Sequence, residues 1–138
     1  MPFVIWAGVI FFASSDSGSS EHTSRFIRPL LEWIFWSASA ETIDLIHLLI
    51  RKAAHLTEYG ILGVLGIRAV RGLSGATRLA SVGLAVLAVL IVASSDEFNQ
   101  SFNPARTSSV WDVALDVLGG LIGATLYILI FGRSDRKV

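Results

Sequence analysis

The residues of this chain best equipped for chemistry lie at helical spacing inside apolar sequence. Arg51, His55, Glu58 and Leu62 fall on one face of a helix, because residues three and four apart are neighbours there. Ionisable groups in a hydrophobic helix are costly, and their default reading is a functional site with partners elsewhere in the chain. Two other stretches offer such partners: Asp96-Glu97-Phe98-Asn99-Gln100, and Arg106 followed by Asp112 and Asp116. His55, Glu58, Glu97 and Asp112 are the candidates for acid–base work. Arg51, Lys52, Tyr59, Asp96, Gln100, Arg106 and Asp116 are the candidates for holding a ligand, with the arginines suited to a phosphate or carboxylate.

Plainer readings exist for each group. Lys52 and Arg51 could snorkel to lipid headgroups, His55 and Glu58 could be a structural pair, and Asp96-Glu97 could be a solvated helix end. The argument for a site is the convergence of three helix ends. No nucleophile elbow, phosphate loop or zinc-helix motif is present. His55-x-x-Glu58 is not repeated, so neither a metal nor a cofactor is expected.

The elements that must position these residues are long apolar runs. The chain has 138 residues, read as one domain over 1–138, and is 53 % apolar. That is little above the ~45–50 % of soluble domains, so the distribution carries the argument. Leu79 to Ala93 has one polar side chain, Ser81, and Trp111 to Phe131 has its two aspartates near one end. A small soluble protein would show a polar stripe on such helices. The formal net charge of zero gives no reason to expect nucleic acid as a partner. The absence of cysteine excludes disulfides, thiolate zinc sites and a cysteine nucleophile.

Pro2 to Ala13 reads as a short first membrane helix rather than a signal peptide, since it lacks a basic start and a small-x-small cleavage site. Phe26 to Trp36 is too short and too charged to span. Its Trp33 and Trp36 suit the headgroup level, so an interfacial helix is expected. Ser37 to Ala40 breaks the chain, and the next helix begins at Glu41 or Asp44. At 1.5 Å per residue, Arg51 to Arg71, Arg78 to Glu97 and Asp112 to Arg133 each cover ~28–31 Å, the thickness of a bilayer core. The expected fold is therefore an all-α membrane bundle with about four transmembrane helices and one interfacial helix. Antiparallel threading gathers the polar ends at one face and Arg68, Arg71, Arg78, Arg133, Arg136 and Lys137 at the other. The second face is cytoplasmic by the positive-inside rule, and so is the C-terminus. Gly119 and Gly123 form a Gly-x-x-x-Gly pair for close helix packing, and His22 and His47 read as surface or interface residues.

Arg51-Lys52-Ala53-Ala54-His55-Leu56-Thr57-Glu58-Tyr59, then Asp96-Glu97-Phe98-Asn99-Gln100-Ser101-Phe102-Asn103-Pro104-Ala105-Arg106, then Asp112 with Gly119 and Gly123, resemble the VanZ-like family. Phe12-Ala13-Ser14-Ser15 resembles that family's end of the first helix, and Asp116 stands where the family commonly has Asn. The resemblance implies a small multi-pass protein of the bacterial cytoplasmic membrane. The family's founding member is associated with teicoplanin resistance, which is not carried over to this chain. The expected partners are membrane lipids, with a lipid-linked or glycopeptide ligand in an outward-facing pocket. The leading reading is a protein that binds an envelope lipid or glycolipid head group. The alternatives are a membrane enzyme on a lipid-linked precursor, with His55 and Glu58 as acid and base, and a proton-coupled transporter. Transporters gather their sites near the midplane, whereas these polar groups gather at one end.

Overall fold

The computed structural model describes residues 2–14, 20–73, 75–102 and 109–132. These form the helices α1 (Pro2–Ser14), α2 (Ser20–Ile34), α3 (Ala40–Leu73), α4 (Arg78–Gln100) and α5 (Val110–Phe131), with no strand among the described residues. The class is all-α. Of the four membrane helices expected, α4 and α5 are long and apolar enough to cross a membrane. α3 has the length, with 34 residues, but Arg51, Lys52, His55 and Glu58 lower its hydropathy. α1 is apolar but has only 13 residues.

Local chemistry explains the boundaries. Thr77 caps α4 by accepting from the Ala80 N–H at 3.3 Å, and Ser109 caps α5 by accepting from the Trp111 N–H at 3.2 Å. α4 ends at Gln100, just before Asn103-Pro104 in the sequence, where the proline disfavours helical backbone in the residue before it. The expected break at Ser37–Ala40 corresponds to a turn over 35–38, with α3 starting at Ala40. α2 runs from Ser20 to Ile34, so it starts earlier than the expected Phe26 and leaves Trp36 in the turn, 86 % exposed. Arg28 ties it to the start of α3 through the Asp44 carboxylate at 3.3 Å, as well as pairing with Glu32 at 3.1 Å.

α3 packs most extensively on α5, and α4 lies against both. The α3–α5 contact is made of backbone. A Cβ added to Gly63 would strike the Gly120 carbonyl, and one added to Gly123 would strike that of Gly60; at Gly119 it would come within 2.5 Å of the Leu56 oxygen. Small residues let helices approach this closely. The bundle interior accordingly holds Ala85, Val89, Ala93 and Ala124 beside Tyr59, Leu62 and Ile67. The outer faces of α4 and α5 carry Leu84, Leu87, Ile91, Leu121, Leu126, Leu129 and Ile130. Apolar exposure on this scale marks a surface meant for an apolar environment and fits a membrane protein.

α4 and α5 form an antiparallel hairpin clamped at both ends. The Arg78 guanidinium donates to the Gly132 carbonyl at one end. At the other, the Ser109 N–H donates to Glu97 Oε2 at 2.9 Å. This second clamp sets the height of α5 relative to α4, and with it the depth of the polar residues they bring together.

Candidate functional site

A polar stretch within α3 and the facing ends of α4 and α5 enclose a polar cavity of about 140 Å³. α3 contributes Leu48, Arg51, Lys52 and His55, α4 contributes Glu97 and Gln100, and α5 contributes Asp112, Leu115 and Asp116. On α3 the stretch stays helical through its polar residues because Ala53, Ala54 and Leu56 are strong helix formers. Lys52, His55 and Leu48 then share a face at spacings of three, four and seven. On α5, Asp112 and Asp116 are one turn apart and face α3 together.

Each charged group in this cavity has a distinct environment. Lys52 Nζ donates to Asp112 Oδ1 at 2.7 Å. His55 Nδ1 stands 3.4 Å from Asp116 Oδ1, a charge contact too poorly aligned to count as a hydrogen bond. Asp116 is 1 % exposed, and neither of its oxygens accepts a hydrogen bond among the described residues. Gln100 Nε2 donates to Asp96 Oδ2 at 2.9 Å. Arg51 is exposed at the rim and makes no hydrogen bond or ion pair with the described residues.

Three of the expected site residues stand elsewhere, and one lies outside the described residues. Glu58, Tyr59 and Asp96 do not line the cavity. Tyr59 is wholly buried in a core cluster with Ile10, Leu62, Val89 and Ala93. Glu58 is only partly buried, and its backbone carbonyl accepts from Trp6 Nε1 at 2.9 Å, which fastens α1 to α3. Asp96 turns towards α1, where Ser14 Oγ donates to its Oδ2 at 2.7 Å. Arg106 belongs to the stretch 103–108, outside the described residues.

The structure also brings in residues that sequence reasoning missed. Leu48 and Leu115 wall the cavity, Ser109 fixes Glu97, and Ser14 holds Asp96. Ser14 had a signal: it closes the first apolar run, where a polar side chain needs a partner. Gly60 and Gly63 had one too, in their spacing of three within α3.

Chemically, the cavity offers an imidazole beside a buried carboxylate, a lysine–aspartate pair and a rim guanidinium. An imidazole beside a carboxylate suits proton transfer, and a guanidinium suits an oxyanion. No cluster of three or more metal-ligating side chains occurs among the described residues. Because the chain has no cysteine, the convergence is directly testable. Lys52→Cys combined with Asp112→Cys should crosslink with a short bifunctional thiol reagent. Failure in a folded protein would separate α3 from α5 at this depth.

No curated protein and no solved structure matches the chain. The profile of the family described as VanZ/LLP1 matches residues 1–131, nearly the whole sequence, including α1 and the polar ends of α3, α4 and α5. The chain belongs to the VanZ/LLP1 family.

Proposed function

We propose that this chain is a multi-pass membrane protein whose cavity receives the polar head group of an envelope lipid. The observation that carries the reading is the position of a charged cavity at one end of a bundle with apolar outer faces. A ligand there can keep hydrocarbon against the helices and its head group among Arg51, Lys52 and His55. In this reading α3, α4 and α5 cross the bilayer, and α1, ~20 Å long, is inserted beside them without covering the whole ~30 Å core. α2 lies in the interface, with Phe26, Leu30 and Trp33 turned to lipid. α3, at ~51 Å, exceeds a ~30 Å bilayer core, so its first turns stand above the membrane beside α2.

The basic ends, with Arg68, Arg71 and Arg78, then face the cytoplasm and the cavity opens outward. A reporter fused after Val138 should be active only in the cytoplasm, and activity only outside the cell would invert the topology. Native mass spectrometry of the detergent-purified protein tests the binding itself. A phospholipid or prenyl-linked lipid should stay bound to the wild type and be retained less by Arg51→Ala. Bare protein in both samples would sink the proposal.

The His55–Asp116 contact favours a second reading, an enzyme acting on the bound lipid with His55 as the acid–base group. Turnover of the retained lipid that disappears in His55→Gln, with binding intact, would select it. Retention without turnover selects the binding protein.

A further inference from the structure

The cavity is rich in acceptors, and its charges are unevenly matched. Glu97, Asp112, Asp116 and Gln100 line it together with Arg51, Lys52 and His55. Lys52 is committed to Asp112 at 2.7 Å, and one oxygen of Glu97 to the Ser109 N–H at 2.9 Å. Gln100 gives its amide nitrogen to Asp96, which leaves its carbonyl oxygen as the acceptor for the cavity. Asp116, 1 % exposed, stands in the wall with His55 beside Oδ1, and neither of its oxygens has a hydrogen-bond partner among the described residues. Buried polar groups are normally satisfied, and an exception calls for an explanation. At the rim Arg51 presents a guanidinium with no hydrogen bond or ion pair among the described residues, one helical turn or ~6 Å along α3 from His55.

The complement of this arrangement is a group with an anion at one end and a strong cationic donor at the other. His55 meets only Oδ1 of Asp116, at 3.4 Å; a hydroxyl could fill the hydrogen bond left on Oδ2 but would add no charge beside so buried a carboxylate. A primary ammonium supplies both. We infer, on the basis of the head-group reading above, that the cavity recognises an aminoalkyl phosphate, with the phosphate on Arg51 and the primary ammonium on Asp116.

Native mass spectrometry of the full-length protein decides this with three lipids of identical chains: phosphatidylethanolamine, phosphatidylglycerol and phosphatidylcholine. The second lacks the ammonium, and the third has one that cannot donate. The ethanolamine lipid should be retained about tenfold over both, the order expected for one hydrogen bond between charged groups. Asp116→Asn should bind all three with the preference erased, and Arg51→Ala should weaken all three alike. Free phosphoethanolamine that displaces the lipid would assign recognition to the head group alone. Its failure to do so, with the preference intact, would assign recognition to the intact lipid. Equal retention of the three lipids by the wild type, or a preference that survives Asp116→Asn, overturns ammonium recognition while head-group binding stands. Retention of none of them overturns the head-group reading itself. The wild-type comparison is decisive even if the Asn variant does not fold.

Discussion

Gly123→Leu should leave little folded protein, and Gly63→Leu should do the same from the opposite helix. At both positions the space a side chain would occupy is already filled by the backbone of the neighbouring helix: Gly60 in the first case and Gly120 in the second. A flexible side chain could swing aside, but a helix backbone cannot. Overpacking a well-packed core costs ~1–3 kcal/mol even when side chains can rearrange, so the loss here should lie at or above the top of that range. Gly8→Leu and Gly83→Leu are the controls, since nothing lies within 4 Å of a Cβ at either position. Surface changes of that kind stay within about 0.5 kcal/mol. Thermal unfolding in detergent, or the yield of monodisperse protein, separates the two sets. Wild-type behaviour of Gly123→Leu would mean that α3 and α5 do not cross here. The cavity above the crossing would then lose its geometry as well, because Lys52 and His55 reach α5 only through that approach.

Asp96→Ala should be the most damaging change among the polar residues, although Asp96 does not line the cavity. It is 1 % exposed and accepts at one oxygen from both Ser14 and Gln100. Removing it leaves the buried Gln100 amide without its acceptor and cuts a side-chain tie between α1 and α4. Truncating one partner of a buried charged network costs ~3–5 kcal/mol, whereas Ser14→Ala removes a single hydrogen bond worth ~1–3 kcal/mol. The double variant should be no less stable than Asp96→Ala alone, because the bond Ser14 makes is already gone. Additive losses would show that the two residues are not coupled. Lipid retention should also fall in Asp96→Ala, since Gln100 is held by Asp96 and presents its other end to the cavity. Lys52→Ala makes a useful contrast. The Lys52–Asp112 pair is half-exposed, and exposed pairs contribute ~0–1 kcal/mol, so stability should barely change.

These contrasts separate residues that build the bundle from residues that face its cavity. Asp96, Ser14, Trp6 and Tyr59 bind α1 to α3 and α4. Arg51, Lys52, His55, Asp112 and Asp116 face the cavity. In the sequence, Tyr59 and Asp96 could not be told from the cavity group, because both sit within a turn or two of true lining residues.

The amino-acid sequence by itself determined the all-helical class, the apolar runs of α4 and α5, the break before α3 and the family. Apolar runs without strand-like alternation and the break at Ser37 to Ala40 act within a few residues, so they are legible one segment at a time. The similar lengths of the apolar runs also predict that the polar ends of α3, α4 and α5 share a level, and the Ser109–Glu97 hydrogen bond is the contact that sets that level for α4 and α5. Tertiary structure alone decided which side chains meet at that level. Depth fixes height but leaves the rotation of each helix about its axis free, and a quarter turn exchanges a cavity residue for a buried anchor. That rotation is set where Gly60 and Gly63 meet Gly120 and Gly123, a contact between segments some sixty residues apart. It sends Asp112 to Lys52, Asp116 to His55 and Tyr59 into the core, while α4 packs on Gly120 through Val89 and turns Asp96 to Ser14.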